Sequence, residues 1–256
     1  MAMVVIITVV TVAIMSIESV SPIRLSIVVL SFCIGLVMIW LSAIQALAYF
    51  PLASLPDDVA KSLADGEALT PMLASRAGRA YDQALSWLPH NGELLRTRGR
   101  LRLRDLNAET MDGAHRGAIL SSASGYFKNA ISEAPANPYS WALELNSQVE
   151  LHAHSEHIFS LYRMSAYQGP IEASSLLTRL RVAVQFWPFL PNDIRELAAR
   201  DIRQIWLTRA LRRELINQYI SASYVTRSDI RKIALVDAAA VTQFDRMVRR
   251  AVRGGK

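Results

Sequence analysis

The chain has 256 residues, 52% of them hydrophobic, and a formal charge of +6. The first fifty residues hold one Arg and one Glu, so the positive excess belongs to the remainder, where arginine dominates. The lone cysteine, Cys33, excludes an intramolecular disulfide and a cysteine-based metal site.

Residues 1–50 read as a membrane anchor. Leu25 to Phe50 carries no formal charge, and roughly 20 helical residues suffice to cross the hydrocarbon core. Trp40 lies inside this span, and Tyr49 and Phe50 close it as an interfacial aromatic pair. Arg24 flanks its start, whereas Pro51 to Asp58 offers two acids and no cation. The positive-inside rule then places Arg24 in the cytoplasm and the rest of the chain outside, which in a bacterium is the periplasmic side of the inner membrane. A second apolar run over residues 2–17 allows one span or two, and a translation start at Met15 would leave only one. All three arrangements keep the C-terminal part outside. Ala46-Leu47-Ala48 has the small residues of a signal-peptidase site, but the preceding apolar run exceeds the roughly 7–15 residues of a signal-peptide core. A retained anchor with membrane lipid as its surroundings is expected.

Residues 51–70, with Pro51, Pro56 and Gly66, read as a linker with a helical turn from Asp57 to Ala64. Pro71 opens a helix to Leu88 whose apolar residues recur at helical spacing. Asn91 caps a partner over Glu93 to Leu106, and Asn107 to His115 interrupts. Ala118 to Ala134 is the next helix, and a partner starts at Asn137-Pro138. The two stretches repeat one another. Tyr81 matches Phe127, Ala84 matches Ala130, Leu85 matches Ile131, Ser86 matches Ser132, Pro89 matches Pro135 and Asn91 matches Asn137, all 46 residues apart. An aromatic, a small residue three positions on and a helix-ending Pro form the closing half of a tetratricopeptide unit. Tyr81, Ala84, Phe127, Ala130 and Trp141 are thus the expected repeat-packing residues.

A third unit is expected from a short helix over Ile158 to Tyr167, a break at Gly169-Pro170, and Ile171 to Trp187, with Ala183 to Pro188 echoing Ala130 to Pro135. Pro191 or Asn192 then opens a long helix to about Ile220, and Ser228 caps a last one over Asp229 to Val252. No stretch alternates with period two between turn residues. Residues 71–256 are expected to form an all-α domain, an α-solenoid of tetratricopeptide-like pairs behind the transmembrane helix.

Candidate chemistry is sparse. His152, His154, Glu156 and His157 form the densest group of metal-ligating types, yet no zinc spacing is present, and a polar connector accounts for them equally well. Arg96, Arg100 and Arg104 recur one turn apart as a ridge able to meet an acidic polysaccharide or a lipid phosphate, or else to serve as a solvated face. Arg246, Arg249, Arg250, Arg253 and Lys256 gather at a helix C-terminus, where the dipole favours cations. Trp87, Trp141, Trp187 and Trp206 are expected between helices. No nucleophile elbow, phosphate loop, dinucleotide fingerprint or nucleic-acid-binding motif occurs, so no enzyme, no cofactor and no nucleic-acid partner is expected.

With Ala134-Pro-Ala-Asn-Pro-Tyr-Ser-Trp141 and Arg179-Leu-Arg-Val-Ala-Val-Gln-Phe-Trp-Pro188 in view, the chain resembles the membrane-anchored helical proteins of bacterial exopolysaccharide loci, the VpsP type, over roughly residues 115–215 and the anchor. The resemblance implies an accessory role in polysaccharide polymerisation or export through protein partners, with no catalytic residues to transfer. The alternative is an exported, chaperone-like tetratricopeptide module of the cytochrome-maturation kind.

Overall fold

A computed structural model describes residues 22–56, 59, 69–107, 111–234 and 238–254. Among these residues eleven α-helices follow one another: α1 (Pro22–Ala53), α2 (Pro71–Trp87), α3 (Gly92–Arg104), α4 (Gly113–Glu133), α5 (Pro138–Glu150), α6 (Ser155–Gln168), α7 (Ala173–Phe186), α8 (Asn192–Leu207), α9 (Arg212–Ser221), α10 (Tyr224–Ala234) and α11 (Ala238–Gly254). No strand occurs among the described residues. The apolar run over residues 2–17, the start at Met15 and most of the turn from Asp57 to Ala64 lie outside them.

α1 is long and apolar enough to cross a membrane. Its middle offers no face to the rest of the described chain, with Ile39 63% and Trp40 65% exposed on an apolar surface. Its foot differs. Ala48 and Pro51 are buried, α1 packs on α2, the Asn91 side-chain amide donates to Tyr49 Oη at 3.4 Å and Arg76 donates to the Ser54 carbonyl at 3.0 Å. The expected linker from Pro51 is therefore shorter at its start. Helix continues to Ala53, and the foot of α1 is seated on α2 before the chain leaves it.

The 46-residue repeat is realised as one local geometry used three times. At the end of α2 the Leu88 N–H donates to the Ala84 carbonyl, at the end of α4 Ala134 donates to Ala130, and at the end of α6 Gly169 donates to Ser165, all at 3.0–3.1 Å. Their φ, ψ values are −127°, 66°, −141°, 70° and −138°, 70°. Each is followed by Pro (Pro89, Pro135, Pro170), which cannot continue a helix. Two residues later stands a cap whose side-chain oxygen accepts backbone N–H bonds: Asn91 from Leu94, Asn137 from Tyr139 and Ser140, Glu172 from Ser174 and Ser175. The third closing helix is thus α6, with Gly169-Pro170 as its turn rather than an interruption. Tyr162 takes the place of Tyr81 and Phe127, and Ser165 that of Ala84 and Ala130. Ala183 to Pro188, expected to close the third unit, instead ends its second helix, and Pro188 lies in the 3₁₀ turn Trp187–Phe189.

Three other boundaries differ. Asp112 caps α4 by accepting from the His115 N–H at 2.7 Å, so that helix starts five residues before Ala118. The long helix to Ile220 is divided, because Thr208 is extended (φ −86°, ψ 101°) and the Arg212 guanidinium bonds the Trp206 carbonyl at 2.6 Å. Ser228 lies inside α10, whose start is held instead by Ser223 Oγ accepting from the Thr226 N–H.

Every substantial contact between described helices joins one helix to the next or next but one. From α5 onward these contacts merge into a single core around Tyr162, Leu180, Trp187, Ile194, Ile202 and Phe244. Of the expected tryptophans, Trp187 and Trp206 are buried and Trp141 half-buried, its indole N–H bonding the Pro135 carbonyl at 2.7 Å, but Trp87 is 45% exposed. It stands at the end of α2, the last residue of that helix.

Tyr81 is half-buried, whereas Ala84, Phe127 and Ala130 are wholly buried. Ala130→Leu adds volume where α4 meets α3 and is expected to cost about 1–3 kcal/mol. Lys128 is no neutral control, because its Nζ lies 3.8 Å from the buried Glu144 carboxylate. Exposed Asn129 is. Thermal unfolding should separate Ala130→Leu from Asn129→Ala by several degrees, and coincident melts would contradict the repeat packing.

Candidate functional site

The arginine ridge lies on α3 facing the start of α5. The guanidinium carbons of Arg96 and Arg100 each sit 5.5 Å from the centroid of the Tyr139 ring, a cation–π arrangement. Arg96 also pairs with Glu93 one turn earlier, and its side chain is only 14% exposed. Burial, and then the neighbouring Arg100, hold the Arg104 guanidinium below its ordinary pKa, while Tyr139 opposes them. The ridge is therefore not a plain solvated face: it is a half-buried row of guanidiniums, two of which converge on one aromatic ring. Arg98 and Arg102, on the other side of α3, are engaged by acids. Arg98 makes a two-pronged bond to Asp82 at 2.6 and 2.9 Å, and Arg102 reaches Asp105 at 3.1 Å.

The repeat alignment exposes a second set of residues that composition and spacing had not singled out. Seven positions after each cap stands a polar side chain, Arg98, Glu144 and Arg179, bonded back to the preceding helix. Arg98 bonds Asp82 of α2, Glu144 accepts from Ser124 of α4 at 2.9 Å, and Arg179 donates to the Ser165 carbonyl and hydroxyl of α6 at 3.0 and 3.2 Å. The third is the most elaborate. Arg179, 0% exposed, also binds the Gly169 carbonyl and clasps Asp201 of α8 through two bonds of 2.6 and 3.1 Å. The Tyr162 hydroxyl donates to the same carboxylate at 3.2 Å, and burial first, then Asp201, push its pKa well up. One ion pair thus ties α6, its turn, α7 and α8 together. No reacting atom could reach it from solvent, so its work is structural.

No family model matches this chain, no curated protein matches it, and no solved structure matches it.

Among the described residues no three His, Cys, Asp or Glu side chains are grouped to hold a metal ion. His152, His154, Glu156 and His157 are all exposed around the α5–α6 connection, where His152 adopts a left-handed conformation (φ 53°) that turns the chain.

Glu144 gives a pH test of the repeated polar position. Burial raises its pKa most, while bonds from Gln148 and Ser124 and then the charge of Lys128 offset part of the rise. With the folded pKa raised, the unfolded chain gives up its proton first as pH climbs, so stability falls from the ordinary Glu value of 4.5 upward. Glu144→Gln is expected to flatten this decline between acid and neutral pH. Melting curves with the same slope in both proteins would show that the carboxylate keeps its water.

Proposed function

We propose that this protein is a non-catalytic, membrane-anchored scaffold. The observation that carries the proposal is the threefold helix–turn–helix geometry in a row of helices, each packed on its near neighbours and joined to the foot of α1. Repeats strung in this way cannot bury their faces alone and so present long shared surfaces, the usual basis of partner binding in solenoids. We read the row as a tetratricopeptide-like solenoid on the periplasmic side of a bacterial inner membrane. Its anchor is retained, since Ala48 is buried against the domain within continuous helix, where a peptidase finds no extended strand to cut.

The motif resemblance favours a place in exopolysaccharide assembly, with the α3–α5 ridge as the contact for acidic partners. Exposed charges act over about 8 Å at physiological salt, so such contacts weaken as salt rises. Three measurements test the reading together. Alkaline phosphatase fused after Lys256 should be active, and an inactive fusion beside a fluorescent cytoplasmic reporter overturns the orientation. A photo-crosslinker at Arg104 should capture membrane proteins of glycan polymerisation or export; capture of unfolded secreted chains alone would favour the chaperone alternative. Changing Arg96, Arg100 and Arg104 together to Gln should abolish low-salt binding of acidic polysaccharide to the ridge, and unchanged capture and binding would limit the ridge to packing around Tyr139.

A further inference from the structure

The last three helices enclose an open cleft of about 570 Å³ lined by Tyr219 of α9, Tyr224, Arg227, Ser228, Arg231 and Lys232 of α10, and Val241 of α11. Its volume falls in the range of small-ligand sites, roughly 300–1,000 Å³. Tyr224, Arg227, Ser228 and Arg231 recur at positions one turn apart, so a single face of α10 supplies most of the wall.

The charges in this wall are unequally answered. Arg231 Nη2 binds both oxygens of Asp245 at 2.9 and 3.1 Å. Lys232 stands 3.8 Å from Asp229, whose carboxylate also accepts from the Trp187 indole at 3.0 Å. Arg227 has no such partner among the described residues. Its Nε is buried without an acceptor, and no carboxylate among the described residues pairs with its guanidinium. That nitrogen is out of reach of the cleft, but the half-buried side chain that carries it lines the cleft with no counter-charge, which an anion arriving there would supply. The surroundings strengthen the pull: residues 227–256 hold eight cations against three acids, nearly the whole positive excess of the chain.

One turn from Arg227, the Tyr224 ring is 82% exposed. An aromatic face that open beside a guanidinium fork suits a ligand with a flat apolar side and an anionic edge. A pyranose ring bearing a carboxylate has both: its C–H face lies on the ring and its carboxylate accepts two N–H bonds from Arg227. A headgroup phosphate would use the arginine and leave the tyrosine idle, and an acidic peptide would not need a flat ring. We infer that the α9–α11 cleft binds a uronic-acid residue of an acidic glycan, with Arg227 taking the carboxylate and Tyr224 the sugar face. The site is separate from the ridge on α3, so its failure leaves the scaffold reading standing.

The test uses the full chain in lipid nanodiscs at low salt, with oligogalacturonate as probe and the uncharged galacto-oligosaccharide, oligoglutamate and anionic vesicles as comparisons. Oligogalacturonate should bind more tightly than the others. Arg227→Gln should weaken it by about tenfold or more, the scale of one charged hydrogen-bonding group, and Tyr224→Ala by severalfold. Arg250→Gln, which removes an equal charge from exposed α11, should change little. Arg227→Lys, which keeps the charge but loses the fork, should fall between wild type and Gln and guards against a folding defect in the Gln variant. Equal loss from Arg227→Gln and Arg250→Gln, or equal binding of oligoglutamate or vesicles, overturns the assignment.

Discussion

Asp201→Ala is expected to be the most damaging single substitution in the domain, at about 3–5 kcal/mol, because it removes the one carboxylate that, among the described residues, pairs with a guanidinium that has no access to water. Arg179 keeps its bonds to the Ser165 and Gly169 oxygens, but these are dipoles and cannot replace the carboxylate clasped at 2.6 and 3.1 Å. Tyr162, wholly buried, loses the acceptor of its hydroxyl as well. Against a total stability of about 5–15 kcal/mol, this loss brings the α6–α8 core near unfolding at 37 °C. The paired change Arg179→Met with Asp201→Leu should be milder, since it removes both charges and fills their volume. Thermal unfolding of the full chain in detergent separates the two. A single variant no worse than the double would mean that the bonds, and not the unpaired charge, set the cost.

That network shows why part of the fold was legible in the sequence and part was not. The long apolar helix α1, the α2–α5 pairs and the caps Asn91 and Asn137 could be read because each rests on local chemistry: an uncharged run, a Pro after a helix, an Asn that accepts backbone N–H groups. The third unit was hidden because the polar core substituted for the expected letters. Ser165 stands where Ala84 and Ala130 stand, Glu172 caps in place of Asn, and the spacing from Ala134 to Gly169 is shorter than the 46 residues before it. Ser165 is tolerated there because Arg179 binds its hydroxyl and carbonyl. The break at Thr208 carries no Gly or Pro, so no local signal announced it; a tertiary bond from Arg212 to the Trp206 carbonyl holds it. Sequence spacing put Arg96, Arg100 and Arg104 one turn apart, but Tyr139, on which two of them converge, lies 35 or more residues further along the chain, on α5. Arg227 and Tyr224 share a helix face in the sequence too, but which charges acids answer is a property of three packed helices.

The second large effect concerns Gly99, which stands eight residues after its cap, where the other two units carry Leu145 and Leu180. A Cβ at Gly99 would meet Phe127 Cε1 at 2.5 Å and Cδ1 at 2.9 Å. Phe127 is itself fully buried, so its ring has no open side to retreat into, and the α3–α4 contact depends on the missing side chain. Gly99→Ala gains helix propensity of about 1 kcal/mol yet is expected to destabilise by about 1–3 kcal/mol net, because overpacking forces the ring or the helix axis to move. Phe127→Leu alone leaves a cavity and also destabilises. The combination should recover much of the loss, since the smaller leucine makes room for the new methyl group. A double-mutant cycle on thermal or denaturant unfolding reads this as a coupling of about 1 kcal/mol or more between the two sites. Strictly additive losses would mean that the ring already has space beside Gly99 and that the helices meet through other residues.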